Sequence, residues 1–166
     1  MGPIMQGTNL PHGETTGAII EAFHETHQEL GSGFSEKVSR NALAIVLRSK
    51  GLKVGIEVPL NVWFRGQVIG EFSADMVVND VVLVEIKGMT RIEPYAEAQL
   101  LNYLKAAGGG VGLILNFGRT PQHKRLVMGD PLNSLPALRG VVDNGARKGK
   151  AERPPQVSQR SADVRS

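Results

Sequence analysis

Residues 75–87 read DMVVNDVVLVEIK, and this stretch decides how the middle of the chain folds. Two apolar runs flank an Asn-Asp pair, which predicts a β-hairpin. The charged residues outside that pair are Asp75, Glu85 and Lys87. Such groups are costly to hold against a half-buried sheet unless they are paired, hydrated or bound to a metal. The stretch therefore predicts a hairpin that carries an Asp…Glu-x-Lys site, the set that a metal-dependent phosphodiesterase needs.

The length of the hairpin loop determines which face the charged residues occupy. A two-residue loop would put Asp75 and Glu85 on opposite faces, because successive strand residues alternate. A three-residue loop, residues 79–81, pairs Asp75 with Glu85 and Ser73 with Lys87. That register also collects one continuous apolar face: Met76, Val78, Val82, Val84 and Ile86. Hydrophobic patterning resists a slip of one residue, so we predict the three-residue loop with all three charges on one face.

The composition fits one domain with tails. At 166 residues the chain can bury a moderate core. It has no cysteine, which excludes disulfides and thiolate chemistry and fits a cytoplasmic protein. No apolar run approaches the length of a membrane span.

Charge is distributed unevenly along the chain. Residues 1–128 carry twelve Lys/Arg and twelve Asp/Glu, whereas residues 129–166 carry seven and four. The second segment lacks any helical or strand period and is rich in Pro, Gly, Ser and Arg, so we expect a disordered basic tail. Its basic residues either add weak contacts to nucleic-acid phosphates or form a solvated linker. We therefore expect a flexible N-terminus over 1–14, a domain over 15–128 and the tail over 129–166.

The periodicity of the domain predicts the element order α-α-β-β-β-α-β-β, a mixed β-sheet flanked by helices of the α/β (α+β) class. Ser35 is a suitable cap for the second helix, and Pro94 suits the first turn of the third. The expected helices cover about 16–30, 36–50 and 94–107, and the expected strands about 53–64, 67–78, 81–87, 111–116 and 123–128.

Four further residues have both a functional and a structural interpretation. Glu36 lies in the first turn of a helix, where it either complements the helix dipole or serves as an outer metal or water ligand. Gln99 and Tyr103 are four residues apart and share a helix face, and a buried amide needs a partner. An aromatic residue at that spacing is also a common core residue. His27 lies on an apolar stripe and is expected to be a hydrogen-bonded packing residue rather than a metal ligand.

Five blocks follow one another along the chain: HQELGSGFSE (27–36), GEFSAD (70–75), EIK (85–87), QLLNYL (99–104) and GLILNFG (112–118). In this order they resemble the GxxExxY proteins, a branch of the PD-(D/E)XK nuclease superfamily. The resemblance covers about residues 15–128 and implies a restriction-endonuclease-like core. Two positions depart from the pattern: Ser39 stands where the family has its naming Tyr, and Ala74 where the superfamily has Pro. Gln99 and Tyr103 also resemble the QxxxY motif of RecB-type nucleases.

The resemblance implies a metal-dependent nuclease. Asp75 and Glu85, helped by the carbonyl of Ile86, are expected to hold Mg²⁺, with Mn²⁺ as an alternative. Glu36 is expected to complete the metal shell. The ion acidifies a bound water and offsets charge on the phosphate.

The remaining site residues act on the water or the substrate. Lys87 is expected to orient or deprotonate the water and to stabilise the transition state, while Gln99 and Tyr103 position it. The expected partner is nucleic acid, most simply DNA, and a homodimer is left open. The alternative is a catalytically silent nuclease fold that binds nucleic acid or a protein, which the neutral domain favours. A third interpretation is a small structural protein without metal affinity.

Overall fold

The computed structural model describes residues 10–130, and the element order in this range is the predicted one. Helix α1 begins three residues before its predicted start, and the other boundaries agree within two residues. Most of the expected N-terminal segment and nearly all of the expected basic tail lie outside the described residues. No helix in the described range is both long and apolar enough to cross a membrane. The elements are α1 (Gly13–Leu30), α2 (Glu36–Ser49), β1 (Val54–Phe64), β2 (Gln67–Val78), β3 (Val82–Lys87), α3 (Pro94–Ala106), β4 (Gly110–Asn116) and β5 (Gln122–Met128).

The five strands form one mixed sheet in the order β1-β2-β3-β4-β5. Strands β3 and β4 run parallel, and the other neighbours are antiparallel. Parallel neighbours need a crossover connection, and α3 provides it between β3 and β4. The predicted mixed sheet flanked by helices is therefore confirmed.

The β2–β3 hairpin has the predicted three-residue loop. Val78 pairs with Val82 and Met76 with Val84, so residues 79–81 form the connection. Asn79 and Asp80 both have positive φ, 51° and 59°, a conformation that Asn and Asp tolerate better than most residues. The Asn79 side chain accepts a hydrogen bond from the backbone of residue 53, which ties the loop to the start of β1.

Two apolar layers cover the two faces of the sheet. Helices α1 and α2 cover one face, on which the predicted apolar set of β2 and β3 lies. Helix α3 covers the other face, and it approaches β4 closely because Gly112 has no side chain where Leu100 packs. The first layer includes Ile19, Phe23, Leu43, Leu47, Met76, Val78, Val82, Val84, Ile86, Leu113 and Leu115. The second includes Val58, Leu60, Ala74, Val77, Leu83, Ala96, Leu100, Leu104 and Ile114.

Candidate active site

Regular pairing between β2 and β3 ends just before the predicted carboxylate pair. The last paired residues toward the open end are Met76 and Val84. The predicted direct pairing of Asp75 with Glu85 is thus replaced by side-chain contacts. Asp75 Oδ2 accepts a hydrogen bond from the Ile86 amide at 2.8 Å, and Glu85 Oε1 accepts one from the Asp75 amide at 3.3 Å. The carboxylates take over backbone hydrogen bonds at the point where the strands separate.

The predicted pairing of Ser73 with Lys87 is also absent from the ladder. Ser73 pairs only on its other side, with Pro59 of β1, because the β2–β3 ladder has already ended at Met76. The β1–β2 ladder passes over Asp75, because Glu57, its expected neighbour in β1, has a positive φ of 52°. Asp75 therefore lies at an interruption of both ladders, and its carboxylate is available beside Glu85.

The side chains of Lys87, Gln99 and Tyr103 form a hydrogen-bonded chain next to the carboxylates. The ammonium of Lys87 donates to Gln99 Oε1 at 2.6 Å, and Gln99 Nε2 donates to the Tyr103 hydroxyl at 3.1 Å. The Tyr103 ring packs on Phe72 of β2, with ring centroids 5.0 Å apart. Helix α3 thus holds the lysine in place through an amide, which agrees with the expectation that the Gln99 amide needs a partner.

Burial dominates the electrostatics of this group. Glu85 is 3% exposed and Lys87 is 9% exposed. Burial, and then the negative charge of Asp75, raise the pKa of Glu85 to about 9, although the Asp75 amide and the charge of Lys87 oppose the shift. Burial and the charge of Glu85 also raise the pKa of Tyr103, so its hydroxyl stays protonated at neutral pH. At neutral pH, Glu85 therefore holds a proton unless a cation joins the site.

Glu36 stands apart from the other predicted site residues. It is exposed in the first turn of α2, after Ser35, whose side chain accepts from the Val38 amide as a cap should. A Cβ atom added at Gly88, the residue after Lys87, would lie 3.9 Å from Glu36 Cγ. The Glu36 side chain therefore lies beside Gly88. Within residues 10–130, however, no three His, Cys, Asp or Glu side chains come together in a group that could hold a metal. The structure assembles five of the predicted catalytic residues and leaves Glu36 at the edge.

The Asn116 side chain clamps the loop after Lys87 by hydrogen bonds to Met89, and the sequence did not predict this contact. Asn116, which pairs with Lys87 across β3 and β4, is fully buried. Its amide accepts from the Met89 N–H and donates to the Met89 carbonyl, both at 2.8 Å. A side chain at Gly118 would collide with that same carbonyl. The signal in the sequence was a single Asn that ends an apolar strand, which is insufficient to name its partner.

His27 has the structural role that was predicted. Its Nε2 lies 2.8 Å from the Gly118 carbonyl, and its ring packs near Phe117. A cleft of about 410 Å³ opens beside this contact, between the loop before α2 and the loops that follow β3 and β4. Gly88 and Arg119 line it, so it lies at the carboxyl ends of the parallel strands, next to Lys87.

Comparisons with known proteins identify the family. A model of the PD-(D/E)XK nuclease superfamily matches residues 13–126. None of the curated proteins matches the chain. A solved crystal structure, that of SSO0001, is 18% identical and has a TM-score of 0.45. The match covers 80% of this chain and 65% of that one.

The chain therefore belongs to the PD-(D/E)XK nuclease superfamily, whose members are generally nucleases that use divalent metals.

Proposed function

We propose that this member of the superfamily is a metal-dependent nuclease that hydrolyses phosphodiester bonds, with DNA as its substrate. One observation carries the proposal. Asp75, Glu85 and Lys87 meet where β2 and β3 separate, and Gln99 holds the lysine ammonium. A purely structural sheet would gain nothing from burying these charges together.

The donor set suits a hard divalent cation. Asp75 and Glu85 offer carboxylate oxygens, and the Ile86 carbonyl is a further oxygen donor. Mg²⁺ keeps several waters and commonly takes only one or two protein carboxylates, so the lack of a third carboxylate in the described range is no obstacle. Burial and then the charge of the partly buried Asp75 raise the pKa of Glu85, and a cation bound between the two carboxylates would offset that charge. When bound, Mg²⁺ or Mn²⁺ would acidify water and offset the charge of the phosphate.

The chain's own residues supply orientation and charge. Lys87 Nζ, fixed by Gln99, can donate to the attacking water or to a phosphate oxygen. Tyr103 supports Gln99 from the far side. We assign Glu36 an outer role, in which it orders water at the edge of the site near Gly88.

We also assign the chain to the GxxExxY branch, on the five sequence blocks given above. The two departures are tolerated by the fold. Ser39 is buried on α2, so a small side chain replaces the family ring without exposing apolar surface. Ala74 pairs with Val58 in the β1–β2 ladder, a position at which Pro could not donate a hydrogen bond.

A cleavage panel tests the proposal. The full-length protein with Mg²⁺ or Mn²⁺ would be incubated with linear, circular and single-stranded DNA and with RNA. We expect metal-dependent cleavage that Lys87→Ala abolishes. Lys50→Ala is a suitable control, because Lys50 pairs with Glu25 at the far end of α2. The proposal fails if every substrate stays intact, or if Lys87→Ala cleaves as well as the parent protein.

The charge balance of residues 1–128 favours one other candidate, a catalytically silent module that binds nucleic acid or a protein. Proteins that bind duplexes usually have a basic face, and the equal numbers of acidic and basic residues over 1–128 argue against such a face here. Calorimetry with Mg²⁺ separates the two candidates. A nuclease binds the ion and loses it in Asp75→Asn, whereas a silent module shows no difference between the two proteins.

A further inference from the structure

The tip of the β1–β2 hairpin presents large apolar side chains to solvent. Trp63 is 56% exposed and Phe64 58% exposed, and the other two members of this tip are Val68 and Ile69. Arg65 lies over the Phe64 ring, 5.3 Å from its centroid. Four large apolar side chains exposed on one hairpin tip exceed the scattered single residues that a protein surface normally carries.

A cleft of about 520 Å³ lies beside the tip, and we call it the hairpin cleft. Its walls combine apolar surface with one amide and one ammonium group. The residues that line it are Val62, Trp63, Phe72, Asn102, Lys105 and Ala106.

A β-bulge in β2 lies opposite the tryptophan that lines this cleft. Val62 pairs with Gly70, but Trp63 pairs with Val68, so Ile69 is the extra residue. Consecutive strand residues ordinarily face opposite sides, yet Val62 and Trp63 both line the cleft. Bulges re-aim side chains in this way and occur often beside functional sites.

The hairpin cleft is connected to the candidate active site through direct contacts. Phe72 lines the cleft and packs on the Tyr103 ring. The Tyr103 hydroxyl accepts from Gln99, which in turn holds Lys87. A strand whose phosphate lies at Lys87 can therefore extend along this row of contacts toward the hairpin cleft.

We propose that the hairpin cleft binds an unpaired nucleobase of the substrate, so that the protein acts on single-stranded nucleic acid or on unpaired ends. This inference rests on the proposed nuclease function. Trp63 and Phe72 offer aromatic faces for stacking, the Asn102 amide can bond a base edge, and Lys105 can meet a phosphate. A base inside a duplex has both faces covered by its neighbours and cannot stack there. The neutral charge of residues 1–128 points the same way, because stacking gives affinity where phosphate attraction is weak.

The single tryptophan makes the test direct. Full-length protein in EDTA, which prevents cleavage, would be titrated with a single-stranded oligothymidylate and with a blunt duplex of equal length. We expect the single strand to quench Trp63 emission in a saturable way and the duplex to leave it nearly unchanged. In fluorescence anisotropy with a labelled strand, Trp63→Ala should weaken binding about 5- to 150-fold, the usual range for one stacked base.

Matched variants locate the contact. Lys105→Ala changes an exposed residue that lines the cleft and should weaken binding, as should Phe72→Ala. Ile69→Ala changes another exposed residue of the same hairpin, one that does not line the cleft, and it should bind like the parent protein. Equal losses in Ile69→Ala and Lys105→Ala, or equal quenching by the duplex, would overturn the assignment.

Self-association gives a distinct result. If a second copy covers the hairpin tip, Trp63 emission will depend on protein concentration, sedimentation will show a dimer, and the oligonucleotide will cause no quenching. That result overturns the base-binding cleft. If the oligonucleotide quenches Trp63 emission in a saturable way but no substrate is cleaved, the base-binding cleft stands and the nuclease proposal fails. If substrate is cleaved without quenching, the nuclease proposal stands and the base-binding cleft fails.

Discussion

Strand β3 has two faces that are equally buried and entirely different in chemistry. Val82, Val84 and Ile86 pack under α1 and α2 in a continuous apolar layer. The alternate residues face α3, where an apolar start at Leu83 gives way to Glu85 and Lys87. The whole strand is buried, so exposure does not explain the charges.

The difference shows which face of β3 stabilises the fold and which face lowers its stability. On the apolar face each side chain gains from leaving water. On the other face Glu85 is destabilised by burial and by Asp75, and the Lys87 ammonium depends on the Gln99 amide. A proton on Glu85 relieves the conflict in the absence of metal. The polar face thus holds its charged groups ready for a cation and a phosphate at the expense of stability.

Adjacent substitutions on the two faces should differ: one should act mainly on stability and the other mainly on cleavage. Ile86→Ala should lower the free energy of unfolding by about 2–5 kcal/mol, because it opens a cavity in the apolar layer. Lys87→Met should lower it less, by about 1–3 kcal/mol, because it removes a buried charge but leaves Gln99 Oε1 without its donor. It should nevertheless reduce cleavage by about 10²–10³-fold. Urea unfolding and initial cleavage rates measure both effects, and the comparison breaks if Lys87→Met is the less stable variant.

The pH dependence of stability should come mainly from Glu85. Its pKa is raised in the folded protein, so between its ordinary value near 4.5 and about 9 the folded state keeps a proton that the unfolded chain has lost. The stabilisation is complete below that window and declines as the pH rises through it, by at most about 1.4 kcal/mol per pH unit.

Urea unfolding of metal-free protein from pH 5 to 9 measures this slope. Glu85→Gln should flatten it and be more stable than the parent protein at pH 8, while losing metal binding. Glu25→Gln changes a more exposed carboxylate, which pairs with Lys50, and should keep the slope. A parent protein whose stability rises with pH over this range would contradict the assignment.

The features that repeat along the chain were predictable from sequence. The two-residue period of β2 and β3 determined the register, because one register alone separates Met76, Val84 and Ile86 from the charges. Ser35 and Pro94 likewise marked the starts of α2 and α3, because capping and first-turn preferences are local. The requirement that an amide packed against a sheet be satisfied indicated that Gln99 has a partner, and the structure identifies Lys87 and Tyr103.

Features that depend on distant packing were not predictable. The interruption at Asp75 arises from Glu57 of β1, whose left-handed conformation has no marker in the sequence. The clamp between Asn116 and Met89 joins residues on opposite sides of the α3 crossover. Glu36 is placed by how α2 packs on the sheet, and helical period does not determine that.

The smallest effects should come from the residues that support Lys87 from α3. Gln99→Met keeps the shape and removes the acceptor at 2.6 Å from the ammonium, so cleavage should fall about 10- to 100-fold. Gln99→Glu keeps an acceptor oxygen and should recover part of the loss. Tyr103→Phe retains the ring contact with Phe72 and removes one hydroxyl, worth about 1 kcal/mol, so cleavage should fall less than tenfold. Initial rates at saturating Mg²⁺ rank the three variants. If Tyr103→Phe is the most damaging, the tyrosine acts on the substrate directly and not through the amide that holds Lys87.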